Sequence, residues 1–219
     1  MNEKIEKRFA NVGKSVTFRN IVETFDLGTK PVLDIGCSYG EFTAKFGKGS
    51  TGITISEEEA VYGTSKGLDV RYGNIESDSF DLNAEYDALF ANNLFEHLYS
   101  PHHFLCKIKK YLKPNGILIL GVPCIPKLTS LLHLRKFRGS LAVSHINFFT
   151  RDTLIKTVER GGWKLITARG FHFKNKIVDH ILDPIYPHMY IVATMDSDFE
   201  YADKRKRELM GYNDVYTNN

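Results

Sequence analysis

No stretch of this chain limits its fold more than Val32-Leu33-Asp34-Ile35-Gly36-Cys37-Ser38-Tyr39-Gly40. Its first four residues are mostly branched and apolar, the pattern of a short buried strand. Glycines at 36 and 40 then permit a tight turn and let a ligand come close to the main chain. With a helix predicted from about Glu41, the segment opens a strand–helix–strand unit. Such units assemble into a parallel sheet covered by helices on both faces. The rest of the chain keeps the alternation. Further strands are predicted at Thr51–Ile55, Asp69–Tyr72, Tyr86–Ala91 and Ile117–Val122, and two last ones at Trp163–Arg169 and Met189–Met195. Ser56 followed by Glu57, Glu58 and Glu59 reads as an N-cap with acids facing the helix dipole. Pro101 opens a helix to Leu112, Lys113-Pro114-Asn115-Gly116 turns into the fifth strand, and Thr150 caps a helix ending near Gly161-Gly162. A helix is placed near 127–137.

Ahead of the first strand, Ile5, Phe9 and Val12, then Phe18, Ile21, Val22 and Phe25, keep helical spacing until Gly28 and Pro31 break it. The expected division is an N-terminal helical lid over 1–29, a sheet domain over 30–198, and a polar tail over 199–219 containing Lys204-Arg205-Lys206-Arg207. A chain of 219 residues with 42% hydrophobic content suits one α/β core. There is no apolar run of about 18 residues, so no membrane span is expected. Cys37, Cys106 and Cys124 are odd in number and lack CxxC spacing. That argues against a disulfide framework or a cysteine zinc site and for a reducing cytoplasm. The net charge of +3 hides a division: residues 30–100 carry 5 basic and 12 acidic side chains, whereas 107–176 carry 15 and 2. The basic half reads either as solvated helix faces or as a field drawing in a phosphorylated or carboxylated substrate.

Parallel sheets take their ligands at the carboxyl ends of the strands. The first such loop has GxxxG spacing, not the GxGxxG of dinucleotide sites, and no P-loop lysine follows. An acid just before the first glycine repels phosphate and suits an ammonium group. The segment VLDIGCSYGEF resembles the first motif of the class I S-adenosylmethionine-dependent methyltransferases, and the order of later motifs extends the likeness over about residues 31–195. The resemblance implies a doubly wound, mostly parallel seven-stranded sheet with an antiparallel last strand, and S-adenosylmethionine as cofactor. It implies that Asp34 positions the ligand's amino group, that Gly36 and Gly40 line its methionine part, and that Ser38 bonds nearby.

The later loops fit the same frame. Many relatives carry an acid at the end of the second strand for the ribose. Here Thr54 stands there, and GITISEEE resembles the corresponding segment of the cyclopropane-fatty-acid-synthase branch, which also lacks the acid; Thr54, Ser56 and Glu57 are the alternatives. By the resemblance Asn74 bonds the adenine amine and Ile75 covers the ring, while Asn92 and Asn93 sit beside the sulfonium. Glu96-His97-Leu98 resembles the "EHL" block of small-molecule methyltransferases, including the quinone-biosynthesis type. Ser144-His145-Ile146-Asn147-Phe148-Phe149 resembles a segment edging their acceptor pocket. His145 is the first choice of general base and His97 the second, since imidazole takes a proton near neutral pH. Tyr39, Phe95, Phe148 and Phe149 are expected to line the pocket. No clustered metal ligands are apparent, and no metal is expected.

The leading expectation is therefore methyl transfer to a small acceptor, most simply at oxygen. The alternatives are a nucleic-acid or protein methyltransferase, a binding module without turnover, and a nicotinamide oxidoreductase. The first lacks an Asn/Asp-Pro-Pro-aromatic motif, and the last lacks its glycine fingerprint. The acceptor and the oligomeric state are left open.

Overall fold

Side chains on successive strand residues point to opposite faces of a sheet, and the central strands here are buried on both. The computed structural model describes residues 2–127 and 144–201. The helix placed near 127–137 and the Lys204–Arg207 run fall almost entirely outside them. Along the chain come α1 (Asn2–Lys14), α2 (Val16–Phe25), β1 (Val32–Ile35), β2 (Thr51–Thr54), α3 (Glu57–Ser65), β3 (Val70–Tyr72), β4 (Tyr86–Asn92), α4 (Pro101–Lys107), β5 (Leu112–Pro123), α5 (Arg151–Arg160), β6 (Trp163–Arg169), α6 (Lys176–Leu182) and β7 (His188–Met195). They form one seven-stranded sheet in the order β3-β2-β1-β4-β5-β7-β6. β1 to β5 pair in parallel, and β7 runs antiparallel to both β5 and β6. The fold is thus the one expected. Strand order reverses between β1 and β4, so the binding crevice opens above their carboxyl ends.

Alternation sorts the core into two layers. Leu33, Leu89, Leu118, Leu120 and Ile191 face one side, with Phe104 and Leu105 of α4 and Leu154 and Val158 of α5 packed on them. Val32, Phe90, Ile119 and Val192 face the other, covered by Phe18 and Ile21 of α2 and by Phe171. α2 therefore belongs to the core layer. Trp163 is 1% exposed, and its indole N–H donates to the Leu105 carbonyl at 3.0 Å, so a large apolar ring is buried without orphaning its donor.

Four local readings change. The helix expected from Glu41 is only a 3₁₀ turn over Thr43–Lys45. Phe42 and Phe46 are drawn into an aromatic cluster with Phe18 and Phe90, and Ser50 closes the chain back on Gly47. α4 ends at Lys107 and tightens into a 3₁₀ turn over Ile108–Tyr111. Lys113–Gly116 loops out within β5: Tyr86 pairs with Leu112 and Ala88 with Ile117, and Asn115 takes φ 65°. α6 was not foreseen. It is capped by Asn175 and anchored by the buried pair Arg169–Asp179 at 2.9 Å.

Candidate active site

At the end of β1 the chain turns through Gly36 (φ 77°), Ser38 (φ 50°) and Gly40 (φ 87°). A side chain in this left-handed region costs roughly 1–2 kcal/mol, and two hydrogen bonds hold Ser38 there. Its hydroxyl donates to Glu59 Oε1 at 2.7 Å and accepts from Arg8 Nη2 at 3.0 Å. Gly40 permits close packing, because a Cβ there would lie 2.9 Å from both Leu68 Cδ1 and Val70 Cγ2. Gly36 is exposed to the crevice, and the space a Cβ would take is bordered by Leu94 at 3.1 Å.

Asp34 lies beneath the turn, 2% exposed, and accepts from Thr43 Oγ1 at 2.7 Å. Burial pushes its carboxyl up to about 7; the Thr43 hydrogen bond opposes this and the nearby Glu41 carboxylate adds to it. Glu41 is buried and paired with Arg8 of α1 at 2.5 Å, but its Oε2 has no hydrogen-bond partner. Burial, then Asp34, Glu59 and Glu41, drive the Cys37 thiol far up, so it is chemically inert. The turn is thus ringed by three carboxylates, an environment for a cation.

The next loop supplies a residue missed in the sequence. Glu57 is exposed, and Glu59, two positions further along the first turn of α3, reaches back instead. Its carboxylate accepts from Thr54 Oγ1 at 2.5 Å as well as from Ser38. Ser56 serves as the cap of α3, its hydroxyl accepting from Glu59 N at 3.4 Å. After β3, Asn74 is exposed and its Oδ1 accepts from Glu76 N at 2.9 Å, whereas Ile75 sits in the larger core cluster with 5% exposure. Asn74 is therefore the residue this loop offers outward, and Ile75 presents little face to a ring.

At the end of β4, Asn92 Oδ1 is buried with no hydrogen-bond partner, lying where a Cβ on Gly121 would come within 2.2 Å. Asn93 takes φ 53°, and its Oδ1 lies 3.0 Å from His188 Nε2. Burial lowers His188 to about 4, so it is neutral and donates there. His188 is a second residue that sequence reading passed over; it lies at the start of β7, beside the Tyr190 ring at 4.9 Å.

Beyond Asn93 the chain brings together Glu96, His97 and His145. Glu96 is 1% exposed. His97 Nε2 lies 3.7 Å and His145 Nε2 3.9 Å from its Oε1, and the imidazole rings meet edge to face at 4.8 Å. Burial raises the Glu96 carboxyl; its own main-chain N–H, and then the two histidines, oppose the shift. The 144–147 segment is strapped into place. Ile146 N and Asn147 N donate to the Glu96 carbonyl at 3.1 and 3.0 Å, and Asn147 Nδ2 donates to the Leu98 carbonyl at 2.7 Å. The expected aromatic lining divides. Phe95 and Phe149 stack in the core at 5.3 Å, Phe148 is half exposed, and Tyr39 packs against Tyr62.

The comparisons with known proteins show the family and the fold. A family described as a methyltransferase domain matches residues 6–168. The chain belongs to the class I S-adenosylmethionine-dependent methyltransferases, and S-adenosylmethionine is its cofactor. It is similar to a ubiquinone biosynthesis O-methyltransferase of Maricaulis maris, 31% identical over 97 residues, an alignment spanning 40% of this chain and 38% of that protein. Its fold matches an S-adenosylmethionine-dependent methyltransferase of Clostridium acetobutylicum (TM-score 0.61, 11% identity, 86% of this chain and 91% of that one). It also matches one of Mesorhizobium loti (TM-score 0.60, 13% identity, 83% and 99%). The chain's own residues fit the cofactor. Its sulfonium and amino group are cationic, and beside the turn lie the carboxylates of Asp34, Glu41 and Glu59; one of their oxygens, Glu41 Oε2, and Asn92 Oδ1 at the end of β4 are buried with no hydrogen-bond partner.

Proposed function

We propose that this enzyme methylates a hydroxyl oxygen of a small acceptor, with the donor held by the β1 turn and the acceptor at the Glu96–His97–His145 cluster. The carrying observation is continuity. Leu94 borders Gly36 at the donor turn, and Glu96 and His97 follow two and three residues later. In this reading Asp34, Gly36, Ser38 and Gly40 take the methionine end. Glu59, bridging Ser38 and Thr54, supplies the ribose acid that β2 lacks, which displaces Glu57 from that role. Asn74 takes the adenine amine, and Asn92 and Asn93 flank the sulfonium.

The donor's methyl group is already activated, so the protein's work is alignment, exclusion of water and removal of a proton. Alignment contributes on the order of 7–11 kcal/mol at best, and a base typically adds about 10²–10⁴-fold. His145, with His97 beside it, receives the hydroxyl proton as the oxygen takes the methyl carbon and the S–CH₃ bond breaks. Arg8 clips α1 onto Glu41 and Ser38, which makes α1 the part of the 1–29 segment suited to act as a lid.

A small acceptor is favoured over nucleic acid because several of the described cations of the basic 107–176 segment are paired. Lys110 pairs with Asp81, Lys113 with Asp87, Lys156 with Glu159 and Arg169 with Asp179, so these cations form no open stripe for phosphates. The test is product formation. Incubation of the chain with S-adenosylmethionine and a panel of phenols and other small hydroxyl compounds is expected to release S-adenosylhomocysteine. His145→Ala should lower kcat by about 10²-fold or more with donor affinity kept. An unchanged rate would remove His145 from the reaction.

A further inference from the structure

We propose that Glu96, His97 and His145 form a binding site for a first-row divalent cation of the zinc–iron class, whose open positions take the acceptor's oxygen. The proposal rests on the reading of this cluster as the acceptor side of a methyltransferase, and it replaces the general base with a Lewis acid.

Two histidines and one carboxylate are a ligand set for such cations. One donor atom from each of the three lies within 4.8 Å of the others. Bonds of about 2.0–2.2 Å place neighbouring ligand atoms roughly 3–3.5 Å apart, so the Glu96–histidine separations of 3.7 and 3.9 Å and the whole set, within 4.8 Å, contract onto a cation by side-chain rotation alone. Protonation favours the same reading. His97 Nδ1 lies 3.0 Å from the Ser144 carbonyl oxygen, which can only accept. That nitrogen therefore carries a hydrogen, which leaves Nε2, facing Glu96, as the ligand atom. A backbone carbonyl orienting a ligand imidazole in this way is the usual outer shell of a metal site.

Glu96 gives the independent observation. It is 1% exposed, and neither of its carboxylate oxygens accepts a hydrogen bond from another residue. A buried carboxylate left this way is costly, and a cation between it and two imidazoles removes the cost. The strap of main-chain bonds to Glu96 and Leu98 fixes the three side chains in advance, and His97, with 36% of its side chain exposed, leaves the site open on one side. The cation would lower the pKa of a bound hydroxyl as it does that of bound water. The hydroxyl proton leaves to solvent, the oxyanion forms the O–CH₃ bond, and the S–CH₃ electron pair stays on sulfur.

The test uses the full chain, stripped with chelator and titrated with Co²⁺ and Zn²⁺. One Co²⁺ per chain is expected, with visible absorption bands of protein-bound cobalt that Zn²⁺ bleaches. Affinity should fall at least 100-fold in Glu96→Gln and in the His97→Ala/His145→Ala pair, with far-UV circular dichroism confirming that both fold. Absence of the bands, or equal binding by the wild type and the folded double variant, would overturn the proposal. Donor binding, measured by calorimetry on the same metal-free sample, separates the two readings. Donor bound without cobalt leaves the methyltransferase assignment standing and removes the metal, and cobalt bound without donor does the reverse.

Discussion

Asp34 carries the sharpest consequence at the scale of single residues. Its carboxyl is raised from 3.8 to about 7, chiefly by burial. Between those values the folded chain holds a proton that the unfolded chain has released. The group's contribution to stability is therefore greatest at acid pH and declines as pH rises towards 7. A cationic donor prefers the ionised form, so binding works in the opposite direction. Donor affinity is expected to rise as pH increases towards 7, by up to about tenfold per unit, and to level off above it. Calorimetry between pH 5.5 and 8 in buffers of different ionisation heat checks this, and Asp34→Asn should bind weakly with a flattened profile. Glu59→Gln is expected to weaken donor and demethylated product alike by roughly tenfold, about 1.4 kcal/mol, the worth of a hydrogen bond to a charged group. Equal affinity in wild type and variant would return the ribose role to Thr54 or Ser56. Asp34 and the glycines were legible because a strand running into a glycine turn is a local pattern. Glu59 was not, because its role depends on two hydroxyls, 21 and 5 residues away, converging on one carboxylate.

Three helices were readable from the chemistry at their ends, whereas α6, capped by Asn175, was not. Ser56, Ser100 and Thr150 each accept the hydrogen bond expected of an N-cap, and α3, α4 and α5 begin after them as predicted. The reading failed after Gly40, where the ten residues 41–50 are spent on burying Phe42 and Phe46 and on turning back to β2. Tertiary packing overrode helix propensity there. The role of α1 was equally invisible, since the Arg8–Glu41 pair joins residues 33 apart. Arg8→Ala leaves the 4%-exposed Glu41 side chain without its cation. The expected loss is about 1–3 kcal/mol in urea unfolding, with partial recovery in Arg8→Lys. A change under about 0.5 kcal/mol would mean that α1 is held by its other contacts.

At the scale of the whole molecule, alternating strands and helices predicted the architecture, and the seven-stranded sheet with antiparallel β7 agrees with it. The crevice above β1 and β4 follows from the reversal of strand order and not from any one residue. Less legible was how distant loops meet. His145 was expected as a base, but its approach to Glu96 depends on main-chain bonds between segments about fifty residues apart. His188, 95 residues from Asn93, gave no local signal at all. No described helix is long and apolar enough to cross a membrane. Calorimetric titration of the intact chain with S-adenosylmethionine, in parallel with Asp34→Ala and with a nicotinamide dinucleotide as competitor, tests the central claim most directly. The account predicts one donor bound per chain, a large loss of affinity in the variant, and no displacement by the dinucleotide. Absence of donor binding by the wild type, or displacement by the dinucleotide, would contradict it.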